Sequence, residues 1–150
     1  MRIYGVGTDV ARVSRFQQSY ERFGDRFLRK AFHPKEIEEF YARPAVSRAH
    51  FLASRWAVKE ATYKAFQRYR VLFPEIHVGR HAVLADDTVA KQIQTTLPIA
   101  TELKSLELLF SGETAALANQ LGLVDSHVSL SHDEDYAVAF VILQQREPSR

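Results

Sequence analysis

The chain has 150 residues, 46% hydrophobic and 25% charged, enough for one core and too ordinary for a disordered, collagen-like or repeat protein. It has no cysteine, which excludes disulfide scaffolds, thiolate zinc sites and thiol nucleophiles and fits a reducing compartment; no apolar run approaches the ~18 residues of a membrane span. Net charge is only +2, yet residues 2–70 hold 15 of the 20 Lys/Arg and 7 of the 18 Asp/Glu, so that half either meets an anionic partner (nucleic acid, phosphate, acidic protein) or carries solvated helix faces.

Residues 2–7 read as a short strand ending at Gly7, with no targeting signal around it. Val13, Phe16, Tyr20 and Phe23 then recur at helical spacing, predicting a helix over 10–23 that Gly24 stops. A short helix follows over 25–32, and Pro34 suits the first turn of another reaching about residue 41. Residues 45–69 hold the longest helical pattern, with no Gly or Pro. Phe51, Val58, Thr62 and Ala65 lie near one face, and Trp56, Glu60 and Lys64 on another. Strands are predicted over 75–84 and 106–110, with the ambiguous stretch 86–101 between them. An alanine-rich helix over 112–121 closes at Gly122. Two strands, 127–132 and 136–143, flank the turn His132-Asp133-Glu134-Asp135 as a hairpin, and 144–150 read as a frayed tail. The fold class is α+β: a single domain over 1–150, with a small, mostly antiparallel sheet packed on one long helix.

Few residues carry chemistry by pattern alone. Asp9, just past the first strand and at the mouth of a helix, can cap that helix or hold a cation. Glu60 and Lys64 have the spacing of an ordinary surface ion pair. Two carboxylates and a lysine also suit Mg²⁺ on a diphosphate, and spacing does not establish that they meet. His132 reads as a turn residue or as one member of a metal cluster with the acids after it. Zinc spacings, a GxSxG elbow, GxGxxG and the P-loop pattern are all absent from the sequence.

Three segments together resemble a known family: IYGVGTDVARVSRF (3–16), FLASRWAVKEATYKAF (51–66) and HVSLSHDEDYAVAFVI (127–142). In order and content they resemble the holo-acyl-carrier-protein synthases, the short class of 4′-phosphopantetheinyl transferases. The resemblance implies that family's fold and a Mg²⁺-dependent reaction. Coenzyme A gives its 4′-phosphopantetheine arm to a serine of apo acyl carrier protein and leaves as adenosine 3′,5′-bisphosphate, in support of fatty acid biosynthesis. It implies a homotrimer with sites at subunit interfaces, no nucleic-acid partner and no membrane. The compartment would be the cytoplasm, or the mitochondrion in a eukaryote. Asp9 and Glu60 match the metal carboxylates and Lys64 the phosphate-contacting lysine; these three would be catalytic. Arg55 and His132 match positions near the coenzyme's 3′-phosphate. Arg15 matches the carrier-protein docking arginine, with Arg22 and Arg26 in the same basic stretch. Glu60, or a water held by it or by Glu36, is the candidate base for the serine proton.

Three departures stand out. Gln67 replaces a usual glycine, His33-Pro34 replaces a usual Thr and polar residue, and residues 80–105 read as an insertion where an N-x-x-G-x-P stretch is usual. The competing readings are a non-catalytic carrier-protein-binding module of the same fold, and a Mg²⁺-dependent nuclease or nucleic-acid binder, which no RNA-binding motif supports.

Overall fold

A computed structural model describes residues 1–82 and 104–147; the ambiguous stretch 86–101, most of the expected insertion and residues 148–150 lie outside them. The chain runs β1 (Arg2–Arg12), α1 (Val13–Phe23), α2 (Asp25–Ala31), α3 (Pro34–Ala42), α4 (Ala45–Ala65), a 3₁₀ turn (Phe73–Glu75), β2 (Ile76–Ala82), β3 (Lys104–Phe110), α5 (Gly112–Gln120), β4 (Leu123–Asp133) and β5 (Tyr136–Gln145). The strands form two antiparallel sheets, β1-β5-β4 and β2-β3. The α+β architecture, with the larger sheet packed on the long helix, is as the sequence predicts.

Helix α4 is the spine. Its apolar face, Phe51, Val58, Thr62 and Ala65 included, is buried. Trp56 packs against Phe16, Phe27 and Phe73, with ring centroids 5.6, 6.3 and 5.2 Å away, which ties α1, α2 and the 3₁₀ turn to α4. Beta-strand β1 crosses the helix at Gly5 and Gly7. A Cβ on Gly5 would overlap the Ala65 carbonyl oxygen, and one on Gly7 that of Ala61. Glycine is required here for close approach of two backbones.

Several predicted boundaries shift, each for a tertiary reason. β1 runs to Arg12, because Asp9, Val10, Ala11 and Arg12 pair with Ala139, Val138, Ala137 and Tyr136 of β5. Helix α1 therefore starts at Val13 rather than at residue 10, and Asp9 is a strand residue, not a cap. α4 stops at Ala65, short of residue 69, because Gln67 takes a left-handed backbone with φ 61°. β4 begins at Leu123 and meets β5 through the two-residue turn Glu134-Asp135, where Glu134 has φ 47°. Gln144 and Gln145, expected in the tail, are strand residues of β5 paired with both neighbours.

Candidate active site

The crossing of β1 over α4 places Asp9 beside the last two turns of the helix. Lys64 Nζ donates to the Thr8 carbonyl at 2.8 Å and to Asp9 Oδ1 at 3.1 Å. Glu60 lies one turn earlier on the same face. Its carboxyl is held above the usual carboxylate range, first by burial and then by the negative charge of Asp9; Lys64 and Arg15 pull it back only in part. The structure thus brings Asp9, Glu60 and Lys64 together.

This donor set fits one hard divalent cation. Lys64 pairs with Asp9, and the Asp9 charge acts on the nearby Glu60 carboxyl, which burial raises first. Mg²⁺ is typically held by one or two carboxylates, with water and substrate phosphates completing its shell. Among the described residues no three His, Cys, Asp or Glu gather as a closed metal cage. His132 therefore joins no metal cluster there.

Arg55 and His132 meet elsewhere. Both line a pocket of about 300 Å³ with Arg43, His50, Arg80 and Leu130, and Asp9, Glu60 and Lys64 are not among its lining residues. Arg55 is 4% exposed. Its Nε and that of Arg43 are buried with no hydrogen-bond partner among the described residues, and both guanidinium groups lie over the Phe51 ring, 4.7 and 4.5 Å from its centroid. Converging, under-bonded guanidinium groups in a concave site suit an anion such as a phosphate. Arg43, His50 and Arg80 escaped the sequence reading because they come from separate elements with no shared spacing.

Arg15 is exposed on α1, its guanidinium 5.5 Å from the Trp56 ring centroid. Arg22 and Arg26 are exposed on the adjoining α1–α2 surface. Glu36, expected as an alternative holder of a basic water, is fully buried and accepts a 2.8 Å hydrogen bond from Lys59 Nζ, which does not suit it to that role. Lys59, next to Glu60 in the chain, is fully buried and also donates to the carbonyls of Phe73, at 2.9 Å, and Ile76. That pair fastens α3 and the start of β2 to α4.

Residues 5–141 match the 4′-phosphopantetheinyl transferase superfamily. A holo-[acyl-carrier-protein] synthase of Nitratidesulfovibrio vulgaris is 34% identical over 142 residues, covering 95% of this chain and 98% of that relative. The crystal structure of the holo-[acyl-carrier-protein] synthase from Neisseria meningitidis superposes with a TM-score of 0.75 at 25% identity, covering 96% of this chain and 100% of that one. The Chronobacterium ammoniagenes synthase–coenzyme A complex gives 0.70 at 30% identity, over 98% and 100%.

Proposed function

This chain belongs to the 4′-phosphopantetheinyl transferase superfamily, among the holo-acyl-carrier-protein synthases, and from that premise we propose how its residues transfer phosphopantetheine from coenzyme A to a serine of apo acyl carrier protein. The observation that carries the reading is the contact of Lys64 with Asp9 across the β1–α4 crossing, with Glu60 one turn earlier on the same helix face.

The serine oxygen attacks the β-phosphorus of the coenzyme diphosphate. The bond from that phosphorus to the bridging oxygen breaks, and adenosine 3′,5′-bisphosphate leaves. Negative charge grows on the bridging oxygen, so catalysis rests on positioning and electrostatic stabilisation. Mg²⁺, held by Asp9 and Glu60, would supply positive charge to the diphosphate oxygens. Lys64 turns its ammonium from Asp9 to a phosphate oxygen. Glu60, or a water it holds, takes the serine proton. Arg15, with Arg22 and Arg26, presents a basic surface beside this site to an acidic carrier protein.

Arg55 and His132 hold the 3′-phosphate end, and their separate pocket is the reason to propose a homotrimer. One subunit supplies Asp9, Glu60 and Lys64, and its neighbour supplies Arg55 and His132. The outward face of the β1-β5-β4 sheet supports this assembly: Val6, Val10, Tyr136 and Phe140 are 47%, 59%, 44% and 46% exposed on paired strands. Such an apolar face is suited to burial against further copies. No described helix is long and apolar enough to cross a membrane, and we place the enzyme in the cytoplasm, supplying holo carrier protein for fatty acid synthesis.

The test is intact-protein mass spectrometry of apo carrier protein mixed with this protein and coenzyme A, with and without Mg²⁺. A Mg²⁺-dependent gain of one phosphopantetheine group is the expected result. Carrier-protein binding without any mass gain would replace this reading with a non-catalytic docking module.

A further inference from the structure

Arg55 is nearly fully buried, and burial of a charge is costly without a counter-charge. Two carboxylates act on it, Glu36 and Glu39. Glu36 is committed to Lys59. Glu39, on α3, is the one in direct reach: its Oε2 lies 3.8 Å from an Arg55 terminal nitrogen. The other oxygen of the same carboxylate, Oε1, lies 3.5 Å from His77 Nε2 on β2. His77 is in turn buried and stacked on His33, the residue that caps α3, with ring centroids 4.9 Å apart and planes 20° from parallel. Glu39 is not among the residues lining the Arg55–His132 pocket.

We propose that Glu39, which packs against His77, is a positioning residue that holds the Arg55 guanidinium aimed at the coenzyme's 3′-phosphate. It acts from behind the arginine and does not touch the ligand. The inference rests on the assignment of Arg55 to that phosphate. Its geometry needs an acid at position 39 on α3 facing Arg55 on α4. Half-exposure of Glu39 limits the effect: ion pairs of this kind contribute at most about 1 kcal/mol, roughly a fivefold change in an equilibrium constant.

The experiment measures KM and kcat of the intact enzyme for coenzyme A and for 3′-dephospho-coenzyme A. Glu39→Gln is nearly isosteric and keeps the fold. It is expected to raise KM for coenzyme A about two- to fivefold, to leave KM for the dephospho compound unchanged and to leave kcat unchanged with both. An equal shift on both substrates, no shift, or a fall in KM for coenzyme A would overturn the inference. Arg55→Ala is the control for the underlying assignment. If it loses at least about tenfold for coenzyme A and nothing for the dephospho compound, Arg55 reads the phosphate. An Arg55→Ala variant that does not discriminate would sink the assignment itself. Discrimination by Arg55→Ala without any by Glu39→Gln would sink only the role of Glu39.

Discussion

Lys64 Nζ and Asp9 Oδ1 lie 3.1 Å apart, and this contact joins the last turn of a helix to a strand residue 55 positions earlier. A single ammonium serves two carboxylates there, because Glu60 stands beside the pair. The balance of charge at that point governs the first two predictions.

Asp9→Ala and Glu60→Ala should each abolish turnover while the fold persists. Each removes one of only two acidic ligands, and metal-assisted charge stabilisation is worth several kcal/mol, about a thousandfold or more in rate. Asp9 and Glu60 are only partly buried, so far-UV circular dichroism should not change. Normal turnover in either variant would refute the metal assignment.

In the metal-free protein Glu60 should titrate above the ordinary carboxylate value, and bound Mg²⁺ should pull it down, because ligation needs its anion. Removing the Asp9 charge with Asp9→Asn should lower the Glu60 pKa, and Lys64→Met should raise it. Carboxyl carbon-13 NMR of the metal-free protein measures both directly. The stability sign follows: folding favours protonated Glu60, so its contribution is present at low pH and lost as pH rises through the raised value. An unmoved Glu60 titration in Asp9→Asn would show that the two carboxylates do not sense each other.

Gly7→Ala should destabilise the protein by about 1–3 kcal/mol, because the new methyl meets the Ala61 carbonyl, which cannot move aside within a helix. The expected fall in Tm is roughly 2–10 °C. Turnover should fall further than the residual fold accounts for, since Asp9 is displaced from Glu60. A Tm and a rate both equal to the parent would mean that the strand can lift without consequence.

Gln67 occupies a left-handed backbone with φ 61° and donates from Nε2 to the Tyr4 carbonyl at 2.6 Å. Gln67→Ala loses the hydrogen bond and keeps the strain; Gln67→Gly loses the bond and relieves it. The glycine variant should be the more stable of the two by about 1 kcal/mol, measurable by urea denaturation. The reverse order would contradict the backbone assignment.

Arg15→Glu should raise KM for carrier protein more than for coenzyme A, and the difference should shrink with added salt. The side chain is exposed, so stability should stay within about 0.5 kcal/mol of the parent. An equal effect on both substrates would remove Arg15 from the docking surface.

The helices were legible wherever apolar spacing reported a buried face, as along α4, and the final hairpin wherever alternation was regular. The first strand is legible over residues 2–7 and not beyond. Val10, Val13 and Phe16 fit a helical period, and only pairing with β5 holds residues 9–12 extended. At the site, the residue types of Asp9, Glu60 and Lys64 were readable, but their meeting depends on a strand–helix crossing that no local pattern encodes. The burial of Lys59 has no signature in the sequence, because it depends on Glu36, from α3, and the carbonyls of the 3₁₀ turn and β2. The Glu39–His77 contact was invisible for the same reason, since its two partners are brought together only by the packing of α3 on β2.

The crossing at Gly5 and Gly7 sets main chain directly against main chain. The separation of Asp9 from α4 is therefore fixed by atoms common to every amino acid. Substitutions elsewhere in the core alter side-chain volume without entering that gap. The reactive carboxylates are in this way insulated from drift in the surrounding sequence, which can diverge widely while the spacing that chemistry requires stays constant.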